Sequence, residues 1–277
     1  MQAILNKFNL EGDTALITGA CGLLGVEHAK ALLESGATVV LTDIDEISLP
    51  LLCAELMNTF GRNRVIFKAM DVTNELNIKA VSTELSDLNI SVDILVNNAA
   101  IDPKVHKDSL VETSRLENFG LDDWNFQLNV GLTGAMLCSK IFGTAMAQQK
   151  KGVILNIASD LSVFAPDQRL YKKDDLEWNE QPVKPVTYSV VKHGLIGLTK
   201  YLSTYWCDRN VRCNALSPGG VLNGQNDEFI HKVSELIPLN RMATKDEYRS
   251  AVQFLCSNSS AYINGQNIVM DGGRSVW

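Results

Sequence analysis

The sequence is poor in positive charge: 25 Lys and Arg stand against 32 Asp and Glu, a formal net charge of −7 over 277 residues. Without a basic excess a chain gains little from displacing counterions along a phosphate backbone, so nucleic acid is not an expected partner. Sustained apolar runs are missing as well. The opening MQAILNKFNLEGD has no apolar stretch behind a basic start, and no uninterrupted apolar run is long enough to cross a bilayer, so neither export nor membrane insertion is expected. The six cysteines, Cys21, Cys53, Cys138, Cys207, Cys213 and Cys256, form no CxxC pair, and the four histidines lie far apart. This pattern predicts free, mostly buried thiols in a reducing cytoplasm and no structural zinc or other metal. Linkers rich in Gly and Ser, internal repeats and low-complexity tracts are absent too, which predicts one domain over residues 1–277.

What is present suits a large core: 45% of the residues are hydrophobic and 21% charged. Short β-branched runs begin at Thr14, Thr38, Val65, Asp93, Val153, Val211 and Asn267 and alternate with longer stretches of helical spacing. Seven strands in such alternation predict an α/β fold, a doubly wound, mostly parallel sheet with helices on both faces. Apolar residues recur at helical spacing from Leu24 to Leu33 and Ser35-Gly36 stops that helix, completing a β-α-β unit. One polar, proline-bracketed stretch, PDQRLYKKDDLEWNEQPVKP, interrupts the rhythm within an insertion over about 163–186. It is either a solvated surface excursion or a flap over substrate, since loops at the carboxyl ends of such sheets meet ligands.

The first strand runs into TGACGLLG, with Gly19, Gly22 and Gly25 at three-residue spacing and a helix directly after. Glycines there let the backbone approach a pyrophosphate, and the helix N-terminus offers unpaired N–H groups. Asp43 ends the second strand 43 − 25 = 18 residues later, where a carboxylate accepts from an adenosine ribose and repels the extra phosphate of NADP. Neither Thr42 nor Ile44 supplies a compensating cation, so NAD is expected over NADP; a helix-capping Asp is the plainer alternative. Tyr188 and Lys192 stand four apart in YSVVK and therefore share one helix face. A neighbouring ammonium stabilises a phenolate and brings a tyrosine nearer to working as a proton acceptor at ordinary pH.

With these motifs together the sequence resembles the short-chain dehydrogenase/reductase family over nearly its whole length, with a Rossmann fold as the implied architecture. The likeness rests on TGACGLLG, Asp71 in MDV, NNAA from Asn97 to Ala100, Asn129 in LNVG, Ser159 in NIAS, Tyr188 and Lys192, LSPGGV from Leu216 to Val221, and MDGG from Met270 to Gly273. It implies that Tyr188 exchanges the proton, Ser159 holds the reacting oxygen, Lys192 binds the nicotinamide ribose and lowers the tyrosine pKa, and Asn129 supports a relay water. The implied dinucleotide contacts are Gly19, Cys21, Gly22, Leu23, Leu24, Gly25, Asp43, Ile44, Asp71, Val72, Asn98, Ala99, Ala100, Tyr188, Lys192, Pro218, Gly219 and Val221. A secondary hydroxyl and a ketone would be interconverted with no metal.

Several positions depart from the compact branch of that family. Leu23 stands where glycine is usual, Ala100 replaces a glycine, Asn223 takes the place of a threonine, and Ser159 and Tyr188 lie 188 − 159 = 29 apart, as the extended, nucleotide-sugar branch would have it. Ser162 is a second candidate for the reacting hydroxyl. The insertion, the KPVTYSVVKHGL helix and PGGVLNGQ resemble oxidoreductases of bacterial flagellin modification and surface-glycan pathways, which implies a sugar or amino-sugar substrate. Gln168, Arg169, Tyr171, Lys172, Lys173 and Trp178 then become candidates for stacking and for holding a phosphate; the alternative is that Lys172 and Lys173 balance Asp174 and Asp175 on a wet loop. A lid is expected over about 222–239, starting near Gly224 and Asn226, with a hinge at Met242 and Ala243. His193 is expected to pack or to meet a partner subunit. A nucleotide-sugar epimerase or dehydratase that recycles its NAD, and a dinucleotide sensor without chemistry, are the rival functions. The resemblance also implies a homo-oligomer, a tetramer or dimer.

Overall fold

The computed structural model describes residues 5–101 and 112–277. Seven strands, β1 (Thr14–Thr18), β2 (Thr38–Asp43), β3 (Val65–Ala69), β4 (Ile94–Asn97), β5 (Gly152–Ile157), β6 (Val211–Pro218) and β7 (Asn267–Met270), form one sheet in the order β3-β2-β1-β4-β5-β6-β7. Every pairing is parallel, with Ile17 beside Leu41 and Asn97 beside Asn156. Strands of this kind must be covered on both sides, because successive side chains point to opposite faces. Ala15, Ile17, Val39, Leu41, Ile94 and Val96 enter one core layer, and Leu16, Val40 and Leu95 enter the other.

The first layer is closed by α1 (Leu23–Glu34), α2 (Ser48–Phe60) and α8 (Arg249–Cys256). The second is closed by α3 (Glu75–Asp87), by the run α4 (Leu121–Leu128), a π turn (Asn129–Thr133) and α5 (Gly134–Gln149), and by α6 (Val186–Tyr205). The remaining helix, α7 (Asp227–Glu235), lies with the expected lid and packs Val233 against Ile237 and Met242. The helical run Leu121–Gln149 is long and apolar enough, by length and composition, to cross a membrane, although no uninterrupted apolar stretch marks it in the sequence. Its Cys138, Phe142 and Met146 are buried against the sheet.

A polar ladder crosses the second layer. The Asn97 amide donates to Asn156 Oδ1 (2.8 Å) and Ser139 Oγ (3.1 Å), and the Asn156 amide donates to Thr199 Oγ1 (2.8 Å). Buried polar groups of this kind hold only when paired, so the ladder fixes where α6 sits over β4 and β5. Four of the six cysteines, Cys53, Cys138, Cys213 and Cys256, are buried, and all six are free thiols.

His28, on the buried side of α1, is fully enclosed, and neither ring nitrogen has a hydrogen-bond partner among the described residues. Burial pushes its pKa down to about 3, so the folded protein keeps it neutral. Below the ordinary histidine value of about 6.5 the unfolded chain takes up a proton that the folded chain refuses, and stability falls by about 1.4 kcal/mol per pH unit. His28→Leu is expected to remove this slope: urea midpoints at pH 6.5 and pH 5 should show the variant gaining about 2 kcal/mol on the wild type over that interval. Parallel acid limbs for the two proteins would refute the assignment.

Candidate active site

The carboxyl ends of β1 and β4 lie side by side where the strand order reverses, the place at which open parallel sheets form a ligand crevice. After β1 the chain turns at Gly19, whose φ of +63° suits glycine; a Cβ there would come within 2.8 Å of Ala99 Cα. At Gly25 a Cβ would come within 2.3 Å of the Gly19 carbonyl, so this glycine lets α1 start directly against the loop. The loop is fastened from β4. Asn98 donates its amide to the Thr18 (3.1 Å) and Gly19 (2.9 Å) carbonyls, and Thr18 Oγ1 accepts from the Asn98 and Ala99 N–H groups, 3.0 Å each. Gly22 caps α1 without a side-chain bond, and no acid occupies the helix's first turn, so the first N–H groups face the cleft ready for an anion.

This cleft, of about 460 Å³, is lined by Gly19, Cys21, Gly22, Leu23, Leu24, Asp43, Ile44, Asp71, Val72, Asn98, Ala99 and Ala100. Ile101, Phe126 and Val130 also line it and had no motif to announce them. Asp43 is bound to the loop it faces: Oδ2 accepts from the Cys21 N–H at 2.8 Å and Oδ1 from the Asp45 N–H at 3.0 Å. Asp71 Oδ1 accepts from the Thr73 N–H (2.9 Å) and hydroxyl (2.7 Å), which holds the carboxylate at the rim. Burial, with Asp43 and Asp45 nearby, pushes the Cys21 thiol up to about 12, so it is no thiolate nucleophile. A glycine cradle that Cβ atoms would fill and an uncapped helix start fit a dinucleotide pyrophosphate.

Leu23, Leu24, Asn98 and Ala100 also line a second cleft of about 360 Å³, which therefore opens from the first. Here Ser159, Tyr188, Lys192, Pro218, Gly219, Val221 and Asn223 come together. Lys192 is buried and its Nζ donates to the Ile157 carbonyl at 2.9 Å, two residues before Ser159 and one helical turn beyond Tyr188. Lysine rarely occupies an interior unless its donors are met, and the open carbonyl at the strand end meets one. Two glycines set α6 close to the π turn: a Cβ on Gly131 would lie 2.6 Å from Val191 Cγ1, and one on Gly194 2.8 Å from Leu132 Cδ2. Asn129 begins that π turn and its carbonyl accepts from the Gly134 N–H, while its side chain is exposed and lines neither cleft. His193 is likewise exposed, with Nδ1 3.0 Å from the Ser189 carbonyl, rather than packed.

The two serine candidates separate. Ser162 is tied to Ser217 Oγ (2.9 Å) and to the Asn267 amide (3.3 Å) and lines no part of this cleft, whereas Ser159 does. Ser159 gives its proton to Asp160 Oδ1 at 2.8 Å, which leaves the serine oxygen able to accept. Asp160 is itself buried, and burial raises its pKa despite the pull of Ser159 and Arg274. Arg274 reaches its Oδ2 at 3.3 Å from the C-terminal turn, where Asp271 accepts from the Gly273 (2.9 Å) and Ser275 (2.7 Å) N–H groups. Neither Asp160 nor Arg274 was singled out from sequence, since they lie 114 residues apart.

The insertion folds over this cleft and meets the lid. Leu170 joins Phe229, Val233 and Ile237 of the lid in one apolar cluster, and the Tyr171 and Phe229 rings lie 5.9 Å apart. Of the expected sugar contacts only Tyr171 lines the cleft, joined by Pro166, Asp167, Leu170 and Lys184. Gln168 instead brackets the Lys184 peptide, Arg169 is spent on Asp167, and Lys172 and Lys173 border a separate groove beside Lys232. Trp178 stacks on the buried Arg115 guanidinium at 4.2 Å, away from the cleft. The expected hinge is also corrected: Met242 is buried, and Ala243 pairs with Val221 and exchanges backbone bonds with Gly220 (3.0 Å) and Leu222 (2.8 Å). Such a doubly bonded segment anchors the lid's far end instead of bending.

Comparison with known proteins agrees with this geometry. A family model described as short chain dehydrogenase matches residues 13–171, and one described as Enoyl-(Acyl carrier protein) reductase matches 180–275. The chain is 31% identical to a D-threitol dehydrogenase of Mycolicibacterium smegmatis, over 97% of this chain and 95% of that one. It is 29% identical to an NAD-dependent glycerol dehydrogenase of Listeria innocua, over 97% and 96% respectively. A gluconate 5-dehydrogenase of Burkholderia cenocepacia, solved with NADP and tartrate, superposes with a TM-score of 0.83 at 26% identity, covering 99% of each chain.

Removing the cation from the Asp160–Arg274 pair leaves a buried carboxylate uncompensated. Arg274→Gln is expected to cost about 3 kcal/mol at pH 7, read by urea unfolding. The loss should shrink at pH 4.5, where the stranded carboxyl takes a proton; equal losses at both pH values would show that the ion pair is not the cause.

Proposed function

Because the chain belongs to the short-chain dehydrogenase family, a group of oxidoreductases acting on CH–OH, we propose that it interconverts a secondary hydroxyl and a ketone on a sugar alcohol or related sugar-like polyol, with NAD preferred. The observation that carries this is the junction of the two clefts, where Ser159, Tyr188 and Lys192 line a pocket continuous with the glycine cleft. The pocket's lining of Asp160, Asn223, Gln225, Lys184 and Arg274 is polar enough for a substrate with several hydroxyls. Its relatives named for threitol and glycerol, and a structural neighbour named for gluconate, support the same class.

When bound, the nicotinamide supplies the two-electron acceptor. The protein handles the rest. Ser159, whose hydroxyl points to Asp160 when no substrate is present, turns to donate to the substrate oxygen and fixes it beside Tyr188, leaving the substrate's own hydroxyl proton for the tyrosine. Tyr188 Oη takes the hydroxyl proton, and the buried Lys192 ammonium one turn away stabilises the phenolate that does so. The lid and insertion give the pocket an apolar wall of Leu170, Phe229, Val233 and Met242.

The preference for NAD rests on Asp43, which stands at the end of β2 with no cation at Thr42 or Ile44. The narrower assignment to flagellin or surface-glycan modification has the insertion and helix resemblance as its support. Exposed apolar side chains on α4 and α5 (Leu121, Phe126, Met136) and on α6 (Tyr201, Tyr205) support a homo-oligomer, to be read by light scattering.

The decisive experiment offers NAD or NADP with threitol, glycerol, gluconate, phosphorylated and nucleotide-linked sugars and a 3-hydroxyacyl thioester, following reduced-nicotinamide absorbance. Tyr188→Phe should lower kcat/KM by about a thousandfold while NAD affinity stays within twofold, about the scale of lost general acid–base catalysis. Turnover of the thioester alone would overturn the polyol assignment, and bound NAD that is never released as NADH would favour an epimerase. Separately, Asp43→Ser should shift the NADP-to-NAD ratio of kcat/KM toward NADP by about tenfold or more; an unmoved ratio removes Asp43 from cofactor choice.

A further inference from the structure

Among the described residues, Tyr188 faces two ammonium groups. Lys192 Nζ lies 5.7 Å from the centre of its ring, and Lys184 Nζ lies closer, at 4.0 Å over the ring. Lys184 comes from the end of the insertion, one turn before Tyr188 in sequence, and its place is built rather than incidental. Gln168 Oε1 accepts from the Lys184 N–H at 2.8 Å, and Gln168 Nε2 donates to the Lys184 carbonyl at 3.4 Å. Pro185 then caps α6 and its carbonyl accepts from the Tyr188 N–H at 3.2 Å. A residue before proline is held extended, which turns Lys184 off the helix axis and lets its long stem fold back over the first turn. Gln168 and Pro185 thus fix the backbone from which this ammonium reaches the ring.

We propose that Lys184 is a second positioning residue for the proton chemistry, an ammonium supplied by the insertion that stabilises the Tyr188 phenolate together with Lys192. The physical reason is that a cation over an aromatic face is attracted to the ring's electron density, and the attraction grows when the phenol loses its proton and the ring shares a full negative charge. Among the described residues, the charged groups on the other elements around this pocket are Asp160, bridged to Arg274, and Asp167, bridged to Arg169. Each of these carboxylates therefore has its own arginine to offset its repulsion of a phenolate. In the oxidative direction Tyr188 Oη receives the substrate hydroxyl proton; in the reductive direction it returns one to the alkoxide oxygen, and Lys184 gives up no proton in either.

The role in turnover rests on the function proposed above, but the ionisation of Tyr188 can be measured without any substrate. The protein has six tyrosines, so ultraviolet difference titrations of the full chain with saturating NAD, each referred to the same protein carrying Tyr188→Phe, isolate this one. Lys184→Met, which keeps most of the stem and removes the charge, is expected to weaken Tyr188 acidity about tenfold and so raise its titration midpoint by about one pH unit. Lys184→Arg should restore the midpoint, and for any substrate turned over the acid limb of kcat/KM should move with it. Lys184→Gln serves as a second neutral variant should the methionine protein fold poorly, folding being checked by circular dichroism and NAD affinity. A folded neutral variant with an unmoved midpoint overturns the proposal, as does an equal rise in Lys184→Arg, which would assign the contact to packing. If the midpoint responds while no polyol is oxidised, the electrostatic role stands and the substrate class is what fails.

Discussion

The site depends on one buried hydrogen bond, from the Lys192 ammonium to the carbonyl of Ile157. A parallel strand ends with carbonyls to which no neighbouring strand donates, and α6 crosses that end carrying the donor. Because Ser159 follows Ile157 by two residues and Tyr188 precedes Lys192 by one turn, a single bond sets the strand-end serine and the helix tyrosine in register. The Asn97–Asn156–Thr199 ladder beneath it fixes α6 from the core side. With the helix held at two levels, Tyr188 has little freedom to drift from the serine, which is what positioning chemistry requires.

The dinucleotide side is organised by a different constraint, close approach of backbone to backbone. Gly19 and Gly25 leave no room for a Cβ, so β1, its loop and α1 stack as tightly as the main chain allows. Asn98 then carries the loop's geometry across the switch point to β4. The Asp43 carboxylate accepts from the Cys21 N–H of the same loop, so the residue argued to choose the cofactor also shapes the glycine turn.

Three segments distant in sequence wall the second cleft. The insertion, the lid and the C-terminal turn are mutually supporting: Leu170 packs with the lid cluster, the Leu239 N–H donates to the Gly272 carbonyl (3.1 Å), and Arg274 runs from that turn to Asp160. At Gly272, with φ of +67°, a Cβ would approach Ile237 Cγ2 to 2.6 Å, so the DGG ending keeps the turn against the lid. The pocket's charge pattern follows from this arrangement, since each of its carboxylates and its extra ammonium arrives from one of these segments or from their contact with β5.

Much of this was legible beforehand. The alternation of β-branched runs with helical spacing determined a parallel, doubly covered sheet, because a strand buried on both faces cannot alternate polar and apolar residues. The glycine spacing, Asp43 and YSVVK pointed to the two joined clefts because each is a local pattern whose geometry follows from a single element. Choosing Ser159 over Ser162, moving Trp178 and Arg169 out of the pocket, replacing a hinge at Met242 and Ala243 with an anchor, and bringing Lys184 and Arg274 into the site needed the folded chain. Those outcomes turn on which side chains meet across loops, and loop side chains carry no periodicity: Arg274 could have paired with any surface acid until the C-terminal turn packed on the lid. Local backbone preference fixes elements from sequence alone, whereas electrostatic partners are set only when tertiary packing decides which charges share a low-dielectric cleft.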